Sequence, residues 1–260
     1  MKKCLILLLF SSILIQIFPV NAEQQTSIND NGLAFVTMEQ IPYGFSTEEG
    51  KTKGVLYDIL NEIINIAEID DENVLMPTKR IVSMITANNK LCTLVAGTPS
   101  NNLLFDMIEP IDYILKAGFL PKAGIKLTDY SSLKGRIIAV PLGINFDEKF
   151  HNDKTLTKVH PPQYLHGIRM LKANRVDVVA GAISNLQYIA KLEGMKANEL
   201  GKPLIITQSP VYLTCSYSIS SSMRTTLKKA VITLKNNGKI SKILNNYFSV
   251  DAKQTLITQQ

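Results

Sequence analysis

One stretch of the sequence, SSLKGRIIAVPLGINFDEKF, places a predicted strand, a tight turn and a helix start in the order that suits ligand binding. Residues 136–141 are apolar and β-branched, which is typical of a strand buried on both faces. The turn with Gly143 follows, Asn145 can cap the next helix, and Asp147 and Glu148 fall in its first turn. Because N–H groups at a helix start attract negative charge, this stretch predicts a site for a small, often anionic, ligand.

The residue sets needed for catalysis or metal binding do not occur together in the sequence. His151, His160 and His166 lack the spacing of metal ligands, and the chain has no CxxC motif. No paired carboxylates and no nucleophile with a neighbouring base are visible. We therefore predict no catalytic residues, no metal and no cofactor, and we expect a binding protein rather than an enzyme.

The elements around this stretch form two α/β units. In the first unit, predicted strands at residues 33–37, 73–76 and 91–97 alternate with two amphipathic helices. The second unit adds a short strand at residues 157–160 and a buried strand at residues 176–182 to the opening stretch. Strands that alternate with helices predict an α/β fold with parallel strand pairs and right-handed crossovers.

Extended segments at residues 111–122 and 203–220 separate these units, and two helices end the chain. One consistent topology inserts the second unit into the first and joins them by two crossing strands. This gives two lobes, each with a mostly parallel sheet flanked by helices, and a ligand-binding cleft between them. The predicted boundaries are residues 33–115 and 208–250 for lobe 1, 116–207 for lobe 2 and 251–260 for a C-terminal tail.

The beginning of the sequence has the features of an export signal. Two lysines precede an apolar stretch, and Val20 and Ala22 form a small-residue cleavage site. A membrane anchor is the alternative, but the apolar run is short and is interrupted by serine and glutamine. We expect a signal peptide at residues 1–22, cleavage after Ala22, a disordered lead-in at residues 23–32 and a periplasmic location.

Charge and cysteine content narrow the class of partner. The formal net charge is +6, but the basic residues are scattered, which argues against a nucleic-acid partner. Cys92 and Cys215 both fall in predicted strands. We favour two buried free thiols, with a disulfide in an oxidising periplasm as the alternative. We expect the protein to be a monomer.

Five segments, in the same order and spacing, resemble those of a known family. IPYGF and GVLYDILNEI are similar to its PPF/Y-x-F and G-F-x-x-D-L-x-x-x-I, with Asp58 at the Asp position. PTKRIVSMI is similar to P-W-x-R-A-x-x-x-L, with Thr78 where Trp is usual. LKGRIIAVPLGINFDEKF, MLKANRVDVVAGAISNLQYI and KNNGKISKILNNYF are similar to three later blocks. Residues 33–248 thus resemble the type II periplasmic solute-binding proteins of the amino-acid-binding (family 3) superfamily.

Two charged anchors of that family are absent. In the family, the third strand leads into T-x-E-R, whose Arg pairs with the ligand carboxylate, but here Thr98 is followed by PSNNLL. Ala182 stands where the family has the Asp that holds the ligand ammonium group. Because an unpaired buried charge is costly, we expect a small polar or anionic ligand other than an α-amino acid in the usual pose, or a loss of transport-type binding.

The candidate ligand-binding residues of lobe 1 lie in loops and at a helix start. The resemblance implies that Tyr43 stacks on the ligand, although it could also pack on the neighbouring proline. Glu39 could accept ligand hydrogen bonds or remain solvated. Arg80 lies in the first turn of a helix, where it could bind a carboxylate or pair with an acidic residue. Thr98 offers a hydroxyl at the cleft edge, or plain turn hydrogen bonds.

The remaining candidates lie in lobe 2 and on the first crossing segment. Gly143 and Asn145 would present donors at a helix start, unless Asn145 caps its own helix. Ser184 and the following Asn185 could replace the missing Asp with neutral groups, or Ser184 could only cap its helix. Tyr113 would line the cleft or pack within the hinge.

We therefore predict a non-enzymatic periplasmic solute-binding protein that captures its ligand by closure of two lobes. The resemblance implies a membrane partner, usually the permease of an ABC importer. One alternative is a sensory or partner-binding module that feeds a membrane receptor. A second is an enzyme that resembles cyclohexadienyl dehydratases, for which Glu39 is the cleft carboxylate that the sequence offers.

Overall fold

The computed structural model describes residues 32–248. The predicted signal peptide, the lead-in before residue 32, the last two residues of predicted lobe 1 and the C-terminal tail lie outside these residues. Between residues 32 and 248, no helix combines the length and the apolar character that crossing a membrane requires.

Strands and helices follow one another in the predicted α/β order. The strands are β1 (Leu33–Met38), β2 (Phe45–Ser46), β3 (Thr52–Lys53), β4 (Asn73–Met76), β5 (Lys90–Ala96), β6 (Asp106–Pro121), β7 (Ile137–Ala139), β8 (Thr157–Val159), β9 (Val178–Ala182) and β10 (Leu204–Cys215). The helices are α1 (Val55–Ile66), α2 (Thr78–Thr86), α3 (Pro99–Leu104), α4 (Glu148–Asn152), α5 (Tyr164–Lys172), α6 (Ile183–Leu192), α7 (Ser221–Asn236) and α8 (Lys239–Phe248). The short hairpin β2–β3 and the helix α3 fall in segments that the sequence did not assign to regular structure.

The sheet is continuous, with strand order β4-β1-β5-β10-β6-β9-β7-β8. Strand β1 pairs in parallel with β4 and β5 at one end, and β7 pairs in parallel with β8 and β9 at the other. The two long strands β6 and β10 lie in the middle and pair with each other in antiparallel fashion. We call the half with β1, β4, β5, α1–α3, α7 and α8 lobe 1, and the half with β7–β9 and α4–α6 lobe 2. The predicted two-lobe fold with two crossing strands is confirmed.

The hydrophobic core is divided between the lobes. In lobe 1, Ile59, Leu60 and Ile63 of α1 are fully buried in a cluster that also contains residues of β1, β5, α7 and α8. In lobe 2, Ile168 and Leu186 belong to a separate cluster formed mainly by α5, α6 and β9. Burial of one such side chain contributes about 1.5–3 kcal/mol. Each lobe therefore has its own hydrophobic core. The predicted lobe boundaries lie inside β6 and β10, and they remain a prediction.

Cys92 and Cys215 form a disulfide with an S–S distance of 2.02 Å. The favoured interpretation of two free thiols is therefore wrong. The two cysteines are directly opposite each other in the antiparallel pair of β5 and β10. Side chains at directly opposed positions lie on the same face and close together, which is what allows the bond. Sequence periodicity gives the face of each strand but not the register between strands that are far apart in the chain.

Candidate ligand-binding site

A cleft of about 250 Å³ lies between the lobes. Lobe 1 lines it with apolar side chains that include Met38, Leu94 and Phe105. Lobe 2 contributes the turn before α4, which includes Ile144, and the end of β9 at Ala182. The crossing strands also reach the cleft through side chains such as Leu115 of β6 and Val211 of β10. The cleft therefore lies where the carboxyl ends of parallel strands from both lobes meet.

Three of the eight predicted ligand-binding residues line this cleft: Tyr43, Gly143 and Asn145. The side chains of Glu39 and Arg80 are exposed and are not part of its lining. Each of these two is next in sequence to a lining residue, because Gln40 follows Glu39 and Ile81 follows Arg80. Thr78, which occupies the position where the family usually has Trp, also lines the cleft.

The three other predicted residues are engaged in hydrogen bonds outside the cleft lining. The Thr98 hydroxyl accepts a hydrogen bond from the backbone N–H of Asn101 at 3.3 Å and so caps α3. The Tyr113 and Ser184 hydroxyls are hydrogen-bonded to each other at 2.7 Å. Since Ala182 occupies the cap position of α6, Ser184 does not cap that helix. It links α6 of lobe 2 to the crossing strand β6.

The backbone of Tyr43 is fixed by the start of α1. The N–H groups of Leu56 and Tyr57 both donate to the Tyr43 carbonyl oxygen, at 3.1 and 3.0 Å. This arrangement requires glycine at position 54, which has φ of +147°. A Cβ atom at Gly54 would lie 2.2 Å from the Tyr43 oxygen. Tyr43 is thus held by the helix that begins in the segment GVLYDILNEI, which resembles the family's G-F-x-x-D-L-x-x-x-I.

The side chain of Tyr43 is buried but unsatisfied. Tyr43 is 6% exposed, and its hydroxyl makes no hydrogen bond within the described residues. Burial raises its pKa well above the usual value of 10.0. The Asn185 amide and the Tyr113 hydroxyl lie near enough to influence that pKa, but neither meets the geometry of a hydrogen bond. The Asn185 side-chain NH₂ is also buried without a partner. Two buried polar groups therefore lack a partner among the described residues, and one of them belongs to the cleft-lining residue Tyr43.

Tyr164 is a lining residue that the sequence analysis missed. It begins α5, and its hydroxyl accepts a hydrogen bond from the backbone N–H of Ala182 at 3.3 Å. Burial raises the pKa of Tyr164 to about 12. Its ring lies against Gly181, where φ is +151° and an added Cβ atom would be 2.2 Å from the ring. The glycine within the buried strand VDVVAGA was the available signal, because a glycine inside a strand often marks such a close approach.

The turn at residues 143–145 does not form the start of a helix. Helix α4 begins at Glu148, and its cap is Asp147, whose carboxylate accepts a hydrogen bond from the Phe150 N–H at 2.7 Å. The prediction that Asn145 caps the helix, with Asp147 in its first turn, is therefore wrong. Gly143 and Asn145 are exposed and border the cleft, but the first turn of α4 lies further along the chain, from Glu148 onward.

The cleft is uncharged. Within residues 32–248, no Asp, Glu, Lys, Arg or His is among its lining residues. Its polar side chains are neutral: Gln40, Tyr43, Thr78, Asn101, Asn145 and Tyr164. Residues 32–248 contain no group of three or more His, Cys, Asp or Glu side chains that could hold a metal ion. The arrangement offers neutral hydrogen bonds and apolar contacts.

Asp58, at the family's Asp position in α1, has a structural contact. Its carboxylate accepts a hydrogen bond from the Tyr247 hydroxyl of α8 at 2.8 Å, and that hydroxyl accepts one from the Gly54 N–H at 3.0 Å. Burial raises the pKa of Asp58. The Tyr247 ring also lies 6.2 Å from that of Tyr188 in α6. Helix α8 therefore connects the start of α1 to lobe 2.

No protein-family model matches the chain, and no curated protein matches it. Solved structures do. A mutant of ArgBP from T. maritima shares 17% identity at a TM-score of 0.67, over 85% of this chain and 97% of that one. A histidine kinase sensor domain with similarity to periplasmic binding proteins shares 16% identity at a TM-score of 0.66, over 83% and 96%. The second substrate-binding domain of a putative amino acid ABC transporter from Streptococcus pneumoniae shares 16% identity at a TM-score of 0.59, over 84% and 99%.

These neighbours are binding proteins and sensor or substrate-binding domains rather than enzymes. The resemblance inferred from the five sequence segments is confirmed at the level of the fold. The chain has the two-lobe fold of the type II periplasmic amino-acid-binding proteins.

Proposed function

We propose that this protein is an exported solute-binding protein that captures a small ligand between its lobes without chemical conversion. The observation that carries the proposal is the cleft itself, which is lined from both lobes and both crossing strands. The buried, unpartnered hydroxyl of Tyr43 supports it, because an unsatisfied polar group in a cleft is a natural contact for a ligand. Tyr43, Gly143 and Asn145 are the ligand-binding residues we retain from the sequence.

Ligand binding would favour a closed arrangement of the two lobes. The strands β6 and β10 carry the connection between them, so a change in the relative position of the lobes would be taken up along these strands. A ligand that contacts both lobes at once binds the closed form better than the open one and shifts the population toward it. A membrane partner that reads the closed form would then respond to the ligand.

We propose a periplasmic location and the permease of an ABC importer as the partner. The substrate-binding domain of a putative amino acid ABC transporter among the structural neighbours supports this choice. A sensor role is the second candidate, supported by the histidine kinase sensor domain. Co-purification from detergent-solubilised membranes with a cross-linker would separate them by the partner that is recovered. N-terminal sequencing of the periplasmic fraction tests cleavage after Ala22.

The test of ligand capture uses native mass spectrometry on protein purified without denaturation, combined with small-angle scattering. We expect a small molecule of defined mass to be released on denaturation, and its re-addition to reduce the radius of gyration. The variant Asn145→Trp places a large side chain at an exposed position of the cleft lining and should retain no ligand. Asn152→Trp is the matched control, because Asn152 is exposed on α4 and does not line the cleft. Equal ligand retention by both variants would argue against the cleft as the site.

A further inference from the structure

We propose that the cleft selects an uncharged ligand with a mainly apolar body and a neutral hydrogen-bond acceptor that meets the Tyr43 hydroxyl. This inference rests on the proposed function and names the class of its ligand. This ligand differs from the small polar or anionic one that the sequence predicted, because the lining side chains are neutral and mainly apolar.

The first step is the lack of a countercharge. A carboxylate or ammonium group taken out of water without a partner loses most of its solvation, and the loss is large compared with a typical binding energy. Among residues 32–248, no charged side chain that could pair with either group lines the cleft. Ala182 lines the cleft at the family's Asp position, and Arg80 remains exposed outside the lining. The short helix α4, capped by its own Asp147, supplies no substitute for an arginine.

The second step is the apolar character of both walls. Leu94 and Phe105 of lobe 1 and Ile144 and Phe146 of lobe 2 all border the cleft. Apolar surface that leaves water on closure is the main favourable contribution to binding in such a site. The volume of about 250 Å³ suits a small molecule rather than a peptide or a large cofactor. The body of the ligand is therefore small and largely hydrocarbon.

The third step is the unsatisfied hydroxyl of Tyr43. A buried O–H group without an acceptor is unfavourable, and an acceptor on the ligand would remove that penalty. A carbonyl, amide or hydroxyl oxygen suits this donor and carries no charge. The Asn185 side chain of α6 in lobe 2 lies close to the Tyr43 side chain, and its NH₂ group is also buried without a partner among the described residues.

The test uses four probes that share a phenyl group and a short alkyl chain: phenylpropanamide, phenylpropanoate, phenylpropylamine and phenylalanine. Their affinities are measured by isothermal titration calorimetry on the mature chain. We expect the neutral amide to bind at least about tenfold more tightly than the anion, the cation or the zwitterion. A charged probe that binds as tightly as the amide overturns the inference and leaves the proposed function standing.

The molecule that the native protein releases on denaturation provides an independent test when none of the four probes binds. Release of a neutral molecule from the native protein supports the inference, and release of a charged one overturns it alone. If no probe binds and no small molecule is released, both the inference and the proposed function are overturned.

Substitutions of Ala182 and of Tyr43 connect the selectivity to this cleft. Ala182→Asp adds a carboxylate to the lining and should weaken the amide about tenfold while it strengthens phenylpropylamine. Ala182→Asn is the uncharged control of the same size, and both side chains are favoured at the cap position that residue 182 occupies in α6. Identical probe preferences in the two variants of residue 182 would contradict the assignment of the cleft.

Tyr43→Phe should weaken binding of the amide about fivefold, because it removes the proposed donor. An unchanged affinity would show that Tyr43 is not the donor.

Discussion

Two regions of the molecule treat polar groups in opposite ways. Where α7 lies on the crossing strand β6, Lys235 is 3.0 Å from Glu109 and 3.4 Å from Asp112, and Arg224 pairs with Asp106. In the cleft, no charged side chain lines the walls and the Tyr43 hydroxyl has no partner within the described residues. The charges of β6 attach a helix, whereas the cleft is lined by neutral polar groups, among which the Tyr43 hydroxyl is unpaired.

Two tyrosines make the comparison specific. Tyr247 donates to the carboxylate of Asp58 and accepts from the N–H of Gly54, so both capacities of its hydroxyl are used. Tyr43 is more deeply buried but uses neither. Substitutions that delete each hydroxyl should therefore have different effects on stability.

We expect the largest effect on stability from the disulfide between Cys92 and Cys215, which joins β5 to β10 and does not line the cleft. The double substitution Cys92→Ala and Cys215→Ala should lower the free energy of unfolding by about 2–5 kcal/mol, because a crosslink over 123 residues restricts the unfolded chain. Urea unfolding of the oxidised protein and the double variant measures the change. Reductant should destabilise the original protein and leave the variant unchanged. A variant that is as stable as the oxidised protein would show that the bond does not constrain this region.

The next effect concerns the packing that supports Tyr164. Gly181→Ala should lower the free energy of unfolding by about 1–3 kcal/mol, because the added Cβ atom overlaps the Tyr164 ring. It should also weaken ligand binding, since Tyr164 lines the cleft. Gly124→Ala is the matched control, because Gly124 also has positive φ but has nothing within 4 Å of an added Cβ atom. Thermal or urea unfolding measures both variants. If both lose the same free energy of unfolding, the effect comes from the backbone conformation rather than from overlap with the Tyr164 ring.

The two tyrosines are compared directly by removing one oxygen from each. Tyr247→Phe should cost about 1–2 kcal/mol of stability, because it breaks a hydrogen bond to a carboxylate and leaves that carboxylate partly buried. Tyr43→Phe should leave stability unchanged or raise it by about 1 kcal/mol, because the lost hydroxyl was unsatisfied. Urea unfolding of both variants without ligand gives the difference. Destabilisation of similar size at both positions would show that Tyr43 has a partner in solution and would weaken the contrast between the regions.

The fold was predictable from the sequence because its signals are local and repeated. The amphipathic spacing of Leu56, Ile59, Leu60 and Ile63 predicted α1, and all four are buried as expected. The apolar run before Ala182 likewise predicted β9. Short elements were harder: α3 has six residues and α4 has five, so neither shows a full helical period. The choice of Asn145 over Asp147 as the cap followed from this, since both residue types are good caps.

The site was less predictable because it depends on contacts between distant parts of the chain. The cleft lining brings Tyr43, Phe105, Tyr164 and Ala182 together, and the sequence indicates only which loops they occupy. Hydrogen-bond satisfaction is a property of the folded molecule, so the contrast between Tyr43 and Tyr247 has no counterpart in the sequence. The absence of the family's two charged anchors was visible, and it agrees with an uncharged cleft.

The smallest effect we expect is a pH dependence of stability at Asp58, whose carboxylate accepts the hydrogen bond from Tyr247. Burial raises the pKa of Asp58 from 3.8, with Glu62 adding to the increase, whereas Tyr247 and Lys53 lower it. A carboxyl group whose pKa is higher in the folded state binds its proton more tightly there. Its contribution to stability is therefore complete below pH 3.8 and is lost as the pH rises through the folded-state pKa. Relative to Asp58→Asn, the original protein should lose stability across this interval in urea unfolding at a series of pH values.

The direction of this change can be sharpened by a second substitution. Because the hydrogen bond from Tyr247 lowers the Asp58 pKa, Tyr247→Phe should raise that pKa further and extend the loss of stability to higher pH. Tyr43→Phe, in the cleft, should leave the pH dependence unchanged, because Tyr43 is not among the groups that shift the Asp58 pKa. A stability difference between the original protein and Asp58→Asn that stays constant with pH, or rises with it, would contradict the assignment. It would mean that burial costs the Asp58 carboxylate less than this geometry implies, so that the hydrogen bond from Tyr247 offsets or outweighs the effect of burial on the pKa.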